Sequence, residues 1–215
     1  AADLLDAGDV AYDYFNYTVT DTSLTDTARL TIRINGVNDD VTAVNDYGVV
    51  TENATLTVTD GESQNLSGSY DTHDEHSGDV GANENDADAS AVHTITAIRT
   101  GSTEGSGTSG SLGSALTGTY GQLTLNANGS YTYVANQPAA DLLDAGDVAY
   151  DYFNYTVTDT SLTDTARLTI RINGRNDDVT AVNDFGVVTE NATLTVTDGE
   201  SQNLSGSYDI HDEHS

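Results

Sequence analysis

Residues 1–77 return as residues 139–215, and only three positions differ: Val37 against Arg175, Tyr47 against Phe185 and Thr72 against Ile210. Near-identity over such a length marks a tandem array, in which each unit packs mainly on its neighbours. The 138-residue offset exceeds the period of any solenoid, so each unit should be a whole domain. The turn-rich, acidic stretch Asn38–Asp46 is the best linker. It makes 39–176 one complete repeat, 1–38 the C-terminal part of a preceding repeat and 177–215 the N-terminal part of the following one. A lone two-stranded hairpin is marginal in water, so the end segments need a partner. Either the chain is one stretch of a longer array or filament, or segment 1–38 of one chain completes segment 177–215 of another by strand addition.

The unit reads as all-β. Pro occurs once, no stretch has sustained helical periodicity, and short alternating runs are separated by turn residues. Ala43–Glu52 reads as a strand, then Thr55–Thr59 with Leu56 and Val58 on one face, and Asp60-Gly61 marks a turn. Residues 67–90 lack periodicity. His93–Thr100 is a strand, and the Gly/Ser/Thr-rich 101–118 reads as a flexible loop. Tyr120–Leu125 and Ser130–Val134 flank Asn128-Gly129, a strong hairpin signal. Asp141–Gly146 reads as one helical turn. Asp151–Thr158 and Thr165–Asn173 alternate apolar and polar residues and should pair antiparallel through the turn Asp159–Asp164. About seven short strands at this spacing predict an immunoglobulin-like β-sandwich.

Charge narrows the partners. Thirty-five acids stand against six bases, all Arg, for a net charge of −29. Nucleic acid and anionic membrane surfaces demand the opposite sign, and no apolar run approaches a membrane span. Such charge keeps a chain soluble but pushes the compact state apart. It is either a solvated acidic surface or, in part, a set of cation ligands. With no Cys there is no disulfide or thiolate staple, which leaves a hard cation as the obvious substitute. The stretch Asn38–Glu52 gathers Asp39, Asp40, Asp46 and Glu52 with the amides Asn38 and Asn45, and no base. The second copy gathers Asn176, Asp177, Asp178, Asp184 and Glu190. Carboxylates this close repel unless water or a cation separates them, and calcium takes six to eight such oxygens.

The runs TYGQLTLNANGSYTYVAN (119–136), DYFNYTVTDTSLTDTARLTIRINGRND (151–177) and AVNDFGVVTEN (181–191) resemble the VCBS repeat of large bacterial RTX adhesins, a cadherin-like β-sandwich. The resemblance covers most of each unit. It implies a secreted or surface-anchored adhesin whose tandem units form a calcium-rigidified extender exported by type I secretion. The chain departs from the family pattern at 70–85, where YDTHDEHSGDVGANEN is inserted, and in its long 101–118 loop. Cadherin-type junctions combine a Glu near the first strand, an acidic linker and a DxD segment. The matching residues are Glu52, Asn38-Asp39-Asp40 and Asp86-Ala87-Asp88, and in the second copy Glu190 and Asn176-Asp177-Asp178.

Other constellations are weaker. Asp159 and Asp164, like Asp21 and Asp26, sit in a hairpin loop, where initiating a turn is as good a role as binding an ion. Asp86-x-Asp88 begins like an EF-hand loop, but Ala91 and Ala97 stand where Gly and the bidentate Glu belong, which rejects it. His73-Asp74-Glu75-His76 and His211-Asp212-Glu213-His214 have spacing for a transition metal, yet read better as solvated polar loop. Gly105–Gly110 matches a dinucleotide fingerprint with no following helix. No nucleophile elbow or triad is present. Seven Asn-x-Ser/Thr sequons follow from the composition. The sequence therefore predicts a non-enzymatic extracellular spacer stiffened by Ca2+ and touching neighbouring copies of itself. The alternatives are a module binding glycan or a cell surface, with Tyr12, Tyr14, Tyr150 and Tyr152 as platforms, and a filament subunit joined by strand complementation.

Overall fold

The computed structural model describes residues 4–65, 75–88, 91–159 and 161–197. The chain divides into two compact units, 1–177 and 178–215. Among the described residues the first holds every strand: β1 (Val10–Thr20), β2 (Thr25–Asn35), β3 (Asp46–Thr51), β4 (Thr55–Val58), β5 (Ser63–Asn65), β6 (His76–Gly78), β7 (Thr94–Thr100), β8 (Leu116–Thr117), β9 (Gln122–Leu125), β10 (Tyr131–Val134), β11 (Val148–Thr158) and β12 (Thr163–Asn173).

The fold is all-β, with β3–β12 forming a sandwich. One sheet has the order β4-β10-β9-β8, the other β5-β6-β3-β12-β11-β7. The seven longer strands are those legible in the sequence; β5, β6 and β8 are extra pieces of two or three residues. All pairings are antiparallel except β3 on β12, which runs parallel with Asp46 beside Leu168 and Thr51 beside Asn173. Period-two alternation sends Phe153, Tyr155 and Val157 inward from β11 and Leu168, Ile170 and Ile172 inward from β12. From the other sheet they meet Leu56, Val58, Leu123, Leu125, Tyr131 and Tyr133 in one core. Tyr133 and Phe153 meet edge to face at 6.2 Å, the geometry that ring quadrupoles favour.

The Asn128-Gly129 turn closes β9 on β10 as the sequence predicts, and there glycine is obligatory. Its φ is +90°, and a Cβ would stand 1.8 Å from Asp79 Oδ1. Two expectations fail. Residues 141–146 form tight turns rather than a helical turn: Leu143 N–H donates to Ala140 O and Asp147 N–H to Asp144 O. Nor is 101–118 a free loop. Buried Asn154 accepts from Gly105 N–H and donates to Gly101 O and Ser106 O, while Thr100 N–H donates to Thr108 O. One side chain in β11 thus pins the glycine-rich segment by its backbone, as buried peptide groups demand.

β1 and β2 form a separate two-stranded sheet, in the same register as β11 and β12. The second unit carries the repeat of 40–77. Through residue 197 it shows no named strand, and Val179, Val182, Phe185, Val188 and Val196 are exposed.

Candidate metal centres

The sequence-predicted ligands do not form one joint; they fall at opposite ends of the sandwich. At the upstream end the linker docks onto its own repeat. Asn38 Nδ2 donates to Asp159 Oδ2 at 2.7 Å, Asp39 N–H to Asp88 Oδ2 at 3.0 Å, and Ala43 N–H to Asp164 Oδ2 at 2.9 Å. Asn38, Asp39, Asp86, Asp88, Asp159 and Asp164 are thereby brought to one end, while Asp40 is exposed. At the downstream end Glu52 is buried and its Oε1 accepts from Arg175 N–H at 2.7 Å. Glu52 lies six residues along β3 from Asp46, about 20 Å at strand rise. It therefore cannot share an ion with Asn38–Asp40, and the expected trio of Glu52, upstream linker and Asp86/Asp88 is corrected. Glu52 belongs with the linker that follows its repeat, because the parallel β3–β12 pairing carries both strands to the same end.

Asp46 is also corrected. It is buried inside the sandwich, where Oδ1 accepts from Ser77 Oγ and Asn83 Nδ2 and Oδ2 from the Tyr155 hydroxyl at 2.6 Å. The Tyr155 oxygen is also 2.9 Å from Glu84 Oε1 and 2.8 Å from Val44 O. One phenolic proton cannot serve three acceptors, and a proton on Asp46 or Glu84 would relieve part of that crowding. Their pKa values agree. Burial pushes Asp46 up to about 6 against the hydrogen bonds of Tyr155, Ser77 and Asn83. Burial likewise pushes Glu84 up to about 7, and the nearby Asp46 and Asp164 add to the rise.

The hairpin aspartates act first as turn caps. Asp159 Oδ1 accepts from the N–H groups of Ser161 and Leu162, as Asp21 Oδ1 does from Ser23 and Leu24. Burial raises the Asp159 pKa, but the bonds from Leu162, Ser161 and Asn38 outweigh it and the net shift is downward. Asp164 Oδ1 takes the Thr165 N–H. Asn176, Asp177, Asp178, Asp184 and Glu190 are all exposed. Of the His-Asp-Glu-His motif, Glu75 and His76 are buried rather than solvated, with His76 Nδ1 accepting from Gly78 N–H and Nε2 3.5 Å from Glu62 Oε1. His73, Asp74 and the second copy of the motif lie outside the described residues.

Sequence reasoning missed two buried acids, Asp151 and Asp79, and the half-buried Glu84, and it read Glu75 as solvated. Asp151 had a signal: it shares the parity of Phe153 and Tyr155 and so must face inward. Its carboxylate accepts from the N–H groups of Thr119, Tyr120 and Gly121 and from the Tyr133 hydroxyl at 2.6 Å. Asp79 takes Gly61 and Gly81 N–H. It, Glu75 and Glu84 lie near or within the aperiodic 67–90, where nothing in the sequence marks an inward face.

Some of these groups are unfinished. Asp86 Oδ2, Asp88 Oδ1 and Glu52 Oε2 are buried carboxylate oxygens without a hydrogen-bond donor. His93 Nε2 is 3.6 Å from Asp86 Oδ2, beyond hydrogen-bonding reach. Leaving such oxygens bare costs several kcal/mol each unless a cation or donor arrives. Among the described residues no three His, Asp or Glu side chains gather as a group able to hold a metal ion. An ion at either end would draw the rest of its ligands from main-chain carbonyls, amides, water or another repeat.

No family model matches this chain, and no curated protein matches it. Among solved structures, zebrafish RET cadherin-like domains 1 to 4 are similar over 79% of this chain and 32% of that one, at 11% identity and a TM-score of 0.30. This chain thus spans about a third of that chain's length, and so slight a likeness adds nothing to what its own strands show.

Proposed function

We propose that the chain is an extender module of the VCBS type: a non-enzymatic β-sandwich repeat in an extracellular bacterial adhesin, stiffened by calcium where repeats meet. The observation that carries this reading is the pair of ends with orphaned buried carboxylate oxygens, each beside a linker. Asp86 and Asp88 would hold an ion upstream, next to the docked Asn38-Asp39, and Glu52 would hold one downstream, next to Arg175-Asn176-Asp177. All are hard oxygen donors, the type calcium prefers. A bound ion supplies positive charge that lets these acids stay ionised and shared between a repeat and its linker, fixing the angle between them. Extracellular calcium sites have Kd of roughly 0.1–1 mM, and calcium at a hundredfold Kd would add about 2.7 kcal/mol per site. The test is calorimetry and small-angle scattering with and without chelator. Calcium should raise Tm and extend the particle; identical curves in both conditions would falsify the reading.

A second reading, saccharide binding, has one feature in its favour. The rings of Tyr150 and Tyr152 are 6.2 Å apart and nearly parallel, and they border a cleft of about 380 Å³ with Gly101 and Thr117–Thr119. Arg167 sits 5.7 Å over Tyr152. A glycan array separates this reading from the spacer: binding lost in Tyr150→Ala supports it, and a blank array discards it.

A further inference from the structure

Calcium would account for the bare oxygens at the upstream end, but it leaves one nitrogen over. His93 immediately precedes β7. Its Nε2 is buried without a hydrogen-bond partner and stands 3.6 Å from Asp86 Oδ2. Asp86 Oδ2 is equally bare, on a side chain only 3% exposed. The turn explains why these oxygens are spare. Asp86 Oδ1 accepts from Asp88 N–H at 2.9 Å, and Asp88 Oδ2 accepts from Asp39 N–H at 3.0 Å. Each carboxylate is oriented through one oxygen, which leaves Asp86 Oδ2 and Asp88 Oδ1 without a donor.

We infer that Asp86 and His93 are the core of a mixed oxygen–nitrogen site for a borderline divalent metal such as zinc. A protonated ring donating to Asp86 would close to about 2.7–2.9 Å, so 3.6 Å is long for an ion pair. A tetrahedral ion with ligands at about 2.0–2.2 Å holds neighbouring ligand atoms roughly 3.3–3.6 Å apart. The two atoms are therefore spaced as ligands of one ion. Their chemistry selects it: calcium takes oxygen ligands, whereas an imidazole nitrogen suits zinc, copper or nickel. Among the described residues no three His, Asp or Glu side chains already stand together as a metal group. The ion itself must draw in Asp88 Oδ1 from the same turn, with water filling the rest of the shell. Because Asp88 also holds Asp39, an ion on its free oxygen fixes the carboxylate and with it the docked linker. The inference rests on the calcium reading only in placing an ion at this end, and it leaves Glu52 to calcium.

The test is zinc binding to the full chain by calorimetry, with calcium present in excess. Every protein carries His73→Gln, His211→Gln and His214→Gln, which removes the exposed-type His-Asp-Glu-His chemistry as a competitor. One zinc ion should bind per chain, and His93→Gln and Asp86→Asn should each weaken it at least about tenfold. In the chain that keeps His93, its Nε2 nitrogen resonance should move at saturation while those of the buried His76 stay put. That second readout does not depend on how well His93→Gln folds. The inference is overturned if no zinc binds, if His93→Gln binds it as tightly, or if the His93 ring resonances do not move. A calcium-induced rise in Tm beside absent zinc binding sinks this inference alone. Zinc held through His93 in a chain indifferent to calcium sinks the calcium reading alone.

Discussion

Replacing Asp151 by Asn, and separately Asp13 by Asn, makes one chemical change at two positions with the same neighbours in sequence. At 151 the carboxylate accepts four hydrogen bonds, one at Oδ1 from Thr119 N–H and three at Oδ2 from Tyr120 N–H, Gly121 N–H and the Tyr133 hydroxyl. The best Asn rotamer puts its carbonyl where Oδ2 was and keeps those three as weaker neutral bonds. Its NH2 then faces the Thr119 N–H, donor against donor. A lost bond to a charged acceptor costs about 1.5–3 kcal/mol, and the donors left unsatisfied cost about 1–3 more. The sum is roughly 3–6 kcal/mol, a large share of the 5–15 kcal/mol that holds a typical domain. At 13 the side chain is exposed, and the change should stay within about 0.5 kcal/mol. Urea denaturation at fixed calcium, followed by Tyr fluorescence, reads both. Unchanged m-values would confirm that the loss is one of stability rather than of denatured-state compactness. Equal losses for the two variants would refute the account, because it requires the amide nest, not the local sequence, to set the cost.

Other consequences can be checked alongside. Because Asp46 and Glu84 have folded pKa values of about 6 and 7 against ordinary values of 3.8 and 4.5, the folded state binds more protons between them. Stability in chelator should therefore be full near pH 4 and fall as pH rises to about 7, by at most about 1.4 kcal/mol per pH unit per proton. Asp46→Asn with Glu84→Gln should flatten that slope, and an unaltered pH profile of Tm would count against a proton held there. Glu52→Gln should change sign with conditions. It should raise Tm in chelator by removing an unpaired buried charge, and shrink the calcium-induced gain; a lower Tm in chelator would contradict the assignment. Asn154→Ala removes three clamps on the 101–106 backbone. It should cost about 2–4 kcal/mol and speed proteolytic nicking at 101–109, and a nicking rate equal to wild type would show that the loop is held otherwise.

The repeat, the all-β class and the β9–β10 and β11–β12 hairpins were readable from the chain alone, because period-two alternation and an Asn-Gly turn are local signals. The acidic character of the linkers was readable too. What the sequence could not show was which acids meet. Local order places Asp46 and Glu52 in one motif, but β3 carries them to opposite ends, one into a buried hydrogen-bond network and one toward the next linker. Glu84 and Asp79 join buried clusters from an aperiodic stretch, and only long-range packing turns them inward. The two hairpins make the division plain: identical residues fix identical strands and register, since those depend on side-chain parity and turn chemistry. Whether Phe15 and Phe153, or Asp13 and Asp151, lie in water or in a core depends on whether the opposing sheet is present, because burial is a property of both surfaces and neither hairpin encodes its partner's position.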